Sequence, residues 1–195
     1  MAITGATGPV IGLRVLSELV KASEVHLIVS SGALSILRDE AGVDWRAGDE
    51  EEATARAREH FGSGNLRVWS EANMYAPVAS GSFITDGMLV VPCTMKTLAG
   101  IASGYANGLV ERAADVTLKE GRPLVLSPRE TPLSAIHLEN MLKLARLGVR
   151  IVPPMASFYH RPETVGEMVD FFAGKVLDAM GVEHDIFRRW PGRTA

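Results

Sequence analysis

Cysteine is nearly missing from this sequence: Cys93 is the single one in 195 residues, so no disulfide can form within the chain. A lone thiol fits a reducing compartment, and the cytoplasm is the expected location. Aromatic residues are scarce at 6%. No apolar run approaches the roughly 20 residues needed to cross a bilayer, so no membrane association is expected. A basic start leading into an apolar stretch and a small-residue cleavage site is also lacking, so no secretion signal is read. Nor is there an excess of positive charge: 20 Lys and Arg against 23 Asp and Glu leave a net charge of −3. Nucleic-acid binding needs clustered cations against phosphates and finds no basis here. Hydrophobic residues at 47% exclude disorder over most of the chain, and the length suits one domain covering residues 1–195.

What is present alternates. Short β-rich runs occupy residues 2–4, 25–29, 66–69, 88–91, 124–126 and 149–152. The run at 88–91 is continuously apolar, as in strands buried on both faces. Apolar spacing predicts helices over 10–21, 33–39, 94–103, a stretch ending near Lys119, 134–147 stopped by Gly148, and 165–180 stopped by Gly181. Glu50-Glu51-Glu52 opens a polar helix read as a solvated face. Repeated strand–helix units predict an α/β domain of three layers, a parallel sheet covered by helices on both sides. The tail over 182–195, with Arg188-Arg189-Trp190, is expected to pack on a neighbouring subunit.

In such sheets ligands bind beyond the carboxyl ends of the strands. Gly5-Ala6-Thr7-Gly8 lies there, with glycines that admit a ligand to the backbone, helix N–H groups that attract anions, and the Thr7 hydroxyl. It is neither a dinucleotide fingerprint nor a P-loop, and a plain tight turn is an equal reading. Ser30 ends the second strand, where capping the next helix serves at least as well. Thr94 is a candidate N-cap whose following N–H groups can take phosphate or carbonyl oxygens, while Cys93 reads as a small core residue. Pro128-Arg129-Glu130-Thr131-Pro132 holds a guanidinium and a carboxyl in a stiff loop, suited to gripping phosphate and moving protons, unless the two form a mere surface pair. Tyr159 can donate to a phosphate, whereas Lys175 by its helix position alone reads as a surface lysine. His137 and His160 lack metal-ligand spacing, so no metal site is expected.

Taken in order, these stretches resemble the UbiX-type flavin prenyltransferases, within the wider flavoprotein family. The likeness spans nearly the whole chain. It is carried by Gly5-Ala6-Thr7-Gly8, Ala76-Pro77-Val78-Ala79-Ser80-Gly81-Ser82, Cys93-Thr94-Met95-Lys96-Thr97, and Leu109-Val110-Glu111-Arg112-Ala113-Ala114-Asp115. Pro128-Arg129-Glu130-Thr131-Pro132, Ile136-His137-Leu138-Glu139-Asn140-Met141 and Phe158-Tyr159-His160 complete the set.

The resemblance implies a Rossmann-like (flavodoxin-like) domain that binds FMN. The implied reaction joins a dimethylallyl group, from dimethylallyl monophosphate, to N5 and C6 of reduced FMN without a divalent metal. The product, prenylated FMN, would pass to a UbiD-type decarboxylase. A homododecamer with flavin sites between subunits is implied as well. By the same resemblance, FMN is held at Gly5, Ala6, Thr7, Ser30, Thr94, Met95, Lys96, Thr97 and Arg129. Tyr159, Lys175, Arg112 and Lys119 face the donor phosphate, the last two across a subunit boundary. Thr7, Glu40 and Glu130 serve catalysis and proton handling.

Thr7 and Thr94 stand where that family usually has serine, and Asn73 where it commonly has an acid. The first strand, starting at the initiator methionine, is unusually short, which suggests residues upstream. Two other functions compete. An FMN-dependent decarboxylase of a cysteine-containing substrate would carry Pro-Ala-Ser-Ala-Asn-Thr where this chain has Pro77-Val78-Ala79-Ser80-Gly81-Ser82. A non-catalytic flavin carrier would have no use for Arg129, Glu130, Tyr159 and Lys175 together.

Overall fold

A computed structural model describes residues 1–192. Six strands, β1 (Ala2–Ile3), β2 (Val25–Val29), β3 (Leu66–Ser70), β4 (Met88–Cys93), β5 (Leu124–Pro128) and β6 (Arg150–Ile151), form one sheet in the order 3-2-1-4-5-6. Every neighbouring pair is parallel. The helices are α1 (Pro9–Ala22), α2 (Ser31–Ala41), α3 (Glu50–Phe61), α4 (Met95–Ser103), α5 (Leu109–Lys119), α6 (Ala135–Arg146) and α7 (Val165–Met180).

Successive strand side chains point to opposite faces, and both faces are apolar. Ile3, Leu27, Val29, Leu89, Val91 and Val125 enter a core shared with Leu16 of α1, Leu37 of α2 and Leu177 of α7. Ala2, Ile28, Met88, Val90, Leu124 and Leu126 enter the other, with Leu98 of α4, Val110 of α5 and Leu144 of α6. This is the expected three-layer parallel α/β domain. A register shift between Val90 and Cys93 turns Cys93 back into the second core, where its thiol is buried. On the other face α1 lies so close to β4 that a Cβ at Gly12 would run into the Val91 carbonyl oxygen.

The strand order reverses between β1 and β4, so the chain leaves these neighbours toward opposite faces. A crevice opens there, between the loops that follow the two strands. The expected elements appear with shifted ends. Helix α2 starts at Ser31 and reaches Ala41, which puts Glu40 on its last turn, and α7 with its Gly181 cap matches the expected span. In the tail, His184 lies against Asp178 and Phe187 against Phe171, both on α7 of the same chain. The remaining tail residues, 193–195, lie outside the described part. Among the described residues no helix is long and apolar enough to cross a membrane.

Candidate active site at the carboxyl edge of the sheet

Thr4, at the end of β1, organises this edge. Its hydroxyl donates to the Pro92 carbonyl at 2.8 Å and accepts the Thr94 N–H at 2.8 Å, and the residue is 2% exposed. One buried side chain thereby locks the loop after β1 to the start of α4. Thr94 caps α4, accepting the Thr97 N–H at 3.2 Å, as the sequence suggests. The N–H groups of Met95 and Lys96 have no acceptor within the helix and remain open to an anion.

The other loops converge on the same edge. Gly8 caps α1 without a side chain, at φ 84°, and its N–H donates to Glu40 Oε2 at 2.8 Å. That bond brings Glu40 beside Thr7. Ser30 caps α2, accepting the Ala33 N–H at 3.2 Å, so its capping role is real. A Cβ on Gly5 would stand 3.1 Å from the Gly32 backbone, which shows how tightly these two loops pack. Arg129 joins them through its own N–H, which donates to the Cys93 carbonyl at 3.2 Å. Its Nε is buried with no hydrogen-bond partner.

Other expected site residues have partners of their own in the single chain. Glu130 makes no ion pair with Arg129; it is exposed and accepts the Thr131 N–H at 3.0 Å. Arg112 donates to the Ala79 carbonyl at 3.0 Å and pairs with Asp115 at 2.9 Å. Lys119 pairs with Glu120 in the last turn of α5, which leads toward the start of β5 at the far edge of the sheet. Lys175 pairs with Asp178 at 3.6 Å. Tyr159, 43% exposed, packs edge-on against Phe171 and Trp190. Within one chain, then, Gly5, Ala6, Thr7, Ser30, Glu40, Thr94, Met95, Lys96, Thr97 and Arg129 share one loop cluster. Arg112 and Lys119 instead border the loop over 77–82.

Thr4 and Glu71 escaped the sequence reading. Glu71, just past β3, accepts the Ser31 N–H at 2.8 Å; its place beyond a strand end was the available signal. Glu50 also does more than face solvent: its carboxylate accepts from the Ser70 N–H and from Asn73 Nδ2, at 2.8 and 2.9 Å. Asn73 is here the donor that the Glu50 carboxylate accepts from.

The Flavoprotein family model matches residues 1–177. A probable UbiX-like flavin prenyltransferase of Escherichia coli O157:H7 is 48% identical over 194 residues, 98% of this chain and 92% of that one. A flavin prenyltransferase UbiX of Halalkalibacterium halodurans is 43% identical over 191 residues, 97% of this chain and 91% of that one. The chain belongs to the UbiX-type flavin prenyltransferases of the flavoprotein family.

Solved UbiX-type structures agree. One described as a dodecameric FMN-dependent UbiX-like decarboxylase from Escherichia coli O157:H7 superposes with a TM-score of 0.83 at 47% identity, covering 98% of this chain and 100% of that one. AnUbiX, in complex with FMN and dimethylallyl pyrophosphate, gives 0.85 at 42% identity, covering 99% and 96%. An FMN-dependent cysteine decarboxylase of thioviridamide biosynthesis shares only the fold, at 16% identity and a TM-score of 0.60. The loop cluster suits FMN on its own chemistry. An unpartnered buried guanidinium nitrogen and open helix N–H groups answer a ligand rich in phosphate and carbonyl acceptors.

Proposed function

We propose that the chain is a flavin prenyltransferase that joins a dimethylallyl group, from dimethylallyl monophosphate, to N5 and C6 of reduced FMN. The observation that carries this reading at the site is Arg129, whose buried Nε has no partner beside the open start of α4. Bound reduced FMN supplies the nucleophilic ring, and the phosphorylated donor supplies the allyl carbon. Gly5, Ala6, Thr7, Ser30, Thr94, Met95, Lys96, Thr97 and Arg129 hold the flavin in a Rossmann-like domain. Tyr159 and Lys175 face the donor phosphate, joined by Arg112 and Lys119 across a subunit boundary.

Breaking an allylic C–O bond builds negative charge on the departing phosphate, and fixed cations and donors offset it where it forms. Glu130 protonates that phosphate, while Glu40, held at the Gly8 N–H beside Thr7, handles the proton that leaves the ring. Among the described residues no group of three His, Cys, Asp or Glu side chains stands in position to hold a metal ion. The assembly we propose is a homododecamer in the cytoplasm that passes its product to a UbiD-type decarboxylase. The dodecameric relative supports the assembly.

The test is anaerobic incubation with reduced FMN and either dimethylallyl monophosphate or the diphosphate, followed by mass spectrometry of the flavin. A mass increase of one C5 prenyl unit is expected with the monophosphate. Unaltered FMN with both donors overturns the reading, and turnover of a cysteine-containing substrate in its place would point to the decarboxylase alternative.

A further inference from the structure

Helix α2 borders the loop cluster, yet it has little core of its own to hold it there. Of its eleven residues only Ala33 and Leu37 are fully buried, so much of its placement comes from its ends. Its last turn is tied by Glu40, which accepts the Gly8 N–H at 2.8 Å. Its first turn is tied twice: Ser30 takes the Ala33 N–H, and Glu71 Oε1 accepts the Ser31 N–H at 2.8 Å. Ser31 is the first helical residue, where a backbone N–H has no acceptor within the helix. A carboxylate there makes a charge-assisted bond and meets the positive end of the helix dipole.

Glu71 is itself held from behind. It follows the edge strand β3, and its main-chain carbonyl accepts the Leu109 N–H at 2.7 Å where α5 begins. Gly108, the cap of α5, packs so close that a Cβ there would stand 3.2 Å from that carbonyl oxygen. Leu37 of α2 and Leu109 of α5 enter the cores on opposite faces of the sheet. One residue thus joins a helix of each face, through its side chain on one and its main chain on the other. The fit it sets is close, since Gly32 in that first turn leaves no slack against Gly5. Any shift of the turn moves Ser30 and Gly32 together against Gly5-Ala6-Thr7.

We infer that Glu71 is a positioning residue of the flavin site: by holding the Ser31 N–H it sets the first turn of α2, and with it Ser30, against the loop after β1. The identity of the ligand rests on the proposed function; the bond and its partners do not. The role needs an acceptor oxygen rather than a negative charge, so glutamine can fill it and alanine cannot.

The test uses the full-length protein and oxidised FMN, with binding read from flavin fluorescence. Glu71→Ala should raise the FMN Kd about tenfold, and Glu71→Gln should stay within about threefold of the parent. Ser31→Pro removes the donor instead. Proline suits the first helical position, and Ser30 before it is already extended at φ −72° and ψ 155°. It should weaken FMN binding by the same factor as Glu71→Ala, and the two changes together should be no worse than either. In the prenylation assay the loss should fall on KM for FMN, with kcat at saturating FMN and KM for the donor unchanged. A merely structural role would lower Tm and leave the FMN Kd of the folded protein where it was. Parental FMN binding by Glu71→Ala overturns the inference, as does an equal loss in Glu71→Gln or additive losses in the double variant. If Glu71→Ala does not fold, near-parental affinity in Glu71→Gln beside a tenfold loss in Ser31→Pro is the expected result, and any other order overturns it. A parent that prenylates FMN while all variants bind it equally would sink the inference and leave the proposed function standing. Glu71-dependent FMN binding without any prenylation would do the reverse, and no FMN binding by the parent would end both.

Discussion

The two edges of the sheet hold spaces of opposite character. At the amino edge lies the larger cavity, about 580 Å³, bordered by Met1, His26, Phe83, Met88 and Val116 among others. Several of its polar groups are already matched. His26 Nδ1 accepts from Trp69 Nε1 at 3.0 Å, and Arg122 donates to the Gly81 and Phe83 carbonyls at 2.8 and 2.9 Å. The Met1 amine donates to the His26 carbonyl at 2.7 Å. At the carboxyl edge the spaces are smaller, yet Arg129 and His160 hold every unmatched buried side-chain polar atom found among the described residues. Cavity size records where packing stops. Unsatisfied donors and acceptors record where a ligand is needed.

Ionisation separates the edges as well. Desolvation by burial brings the Met1 amine down to about 5 and holds the His26 imidazole below its ordinary range, so burial disfavours charge on these two groups. The carboxyl edge instead gathers open helix N–H groups and a guanidinium. The contrast can be broken in four places. Arg129→Ala should lower kcat/KM for flavin prenylation about 100-fold while leaving Tm almost unchanged; a parental rate in the mass-spectrometric assay would erase the distinction. Thr4→Val should cost about 1–3 kcal/mol, because the Thr94 N–H loses its buried acceptor. A denaturant midpoint will read that loss, and FMN titration should show weaker binding because the loop after β1 is no longer tied to α4.

Phe83→Ala tests the other edge. It should lower stability by about 1–2 kcal/mol and leave KM for FMN and for the donor at parental values; a raised KM would make the large cavity part of the site. The smallest effect concerns pH. A base whose folded pKa is depressed binds fewer protons folded than unfolded, so its stabilising share is complete above the unfolded pKa and lost as pH falls through the folded one. Tm should therefore fall as pH drops below about 6.5, where an unfolded imidazole gains a proton that the buried His26 takes up less readily. His26→Gln should flatten the acid part of that slope.

How far the sequence could be read follows from distance along the chain. The apolar runs announce strands buried on both faces because period two needs only neighbouring residues. Helix α7 and its Gly181 stop are equally local, as is the Thr94 cap. Thr4 looked like the end of a strand because its partners are 88 and 90 residues away. Glu50 passed for a solvated acid for the same reason, its partners lying 20 and 23 residues on. His160 needed Phe171 and Tyr159 packed around it before its burial could be seen. Motifs located the loops; only coordinates could tell the matched groups in them from the unmatched.

Cys93 carries one last consequence. Burial, reinforced by the nearby Glu111 carboxylate, pushes its thiol far above the ordinary range, so almost no thiolate forms at working pH. To a maleimide or to dissolved oxygen the folded protein therefore behaves as if it were sulfhydryl-free. A second cysteine engineered at any exposed position would be its single labelling point, and a fluorophore could be mounted there with the native one left in place.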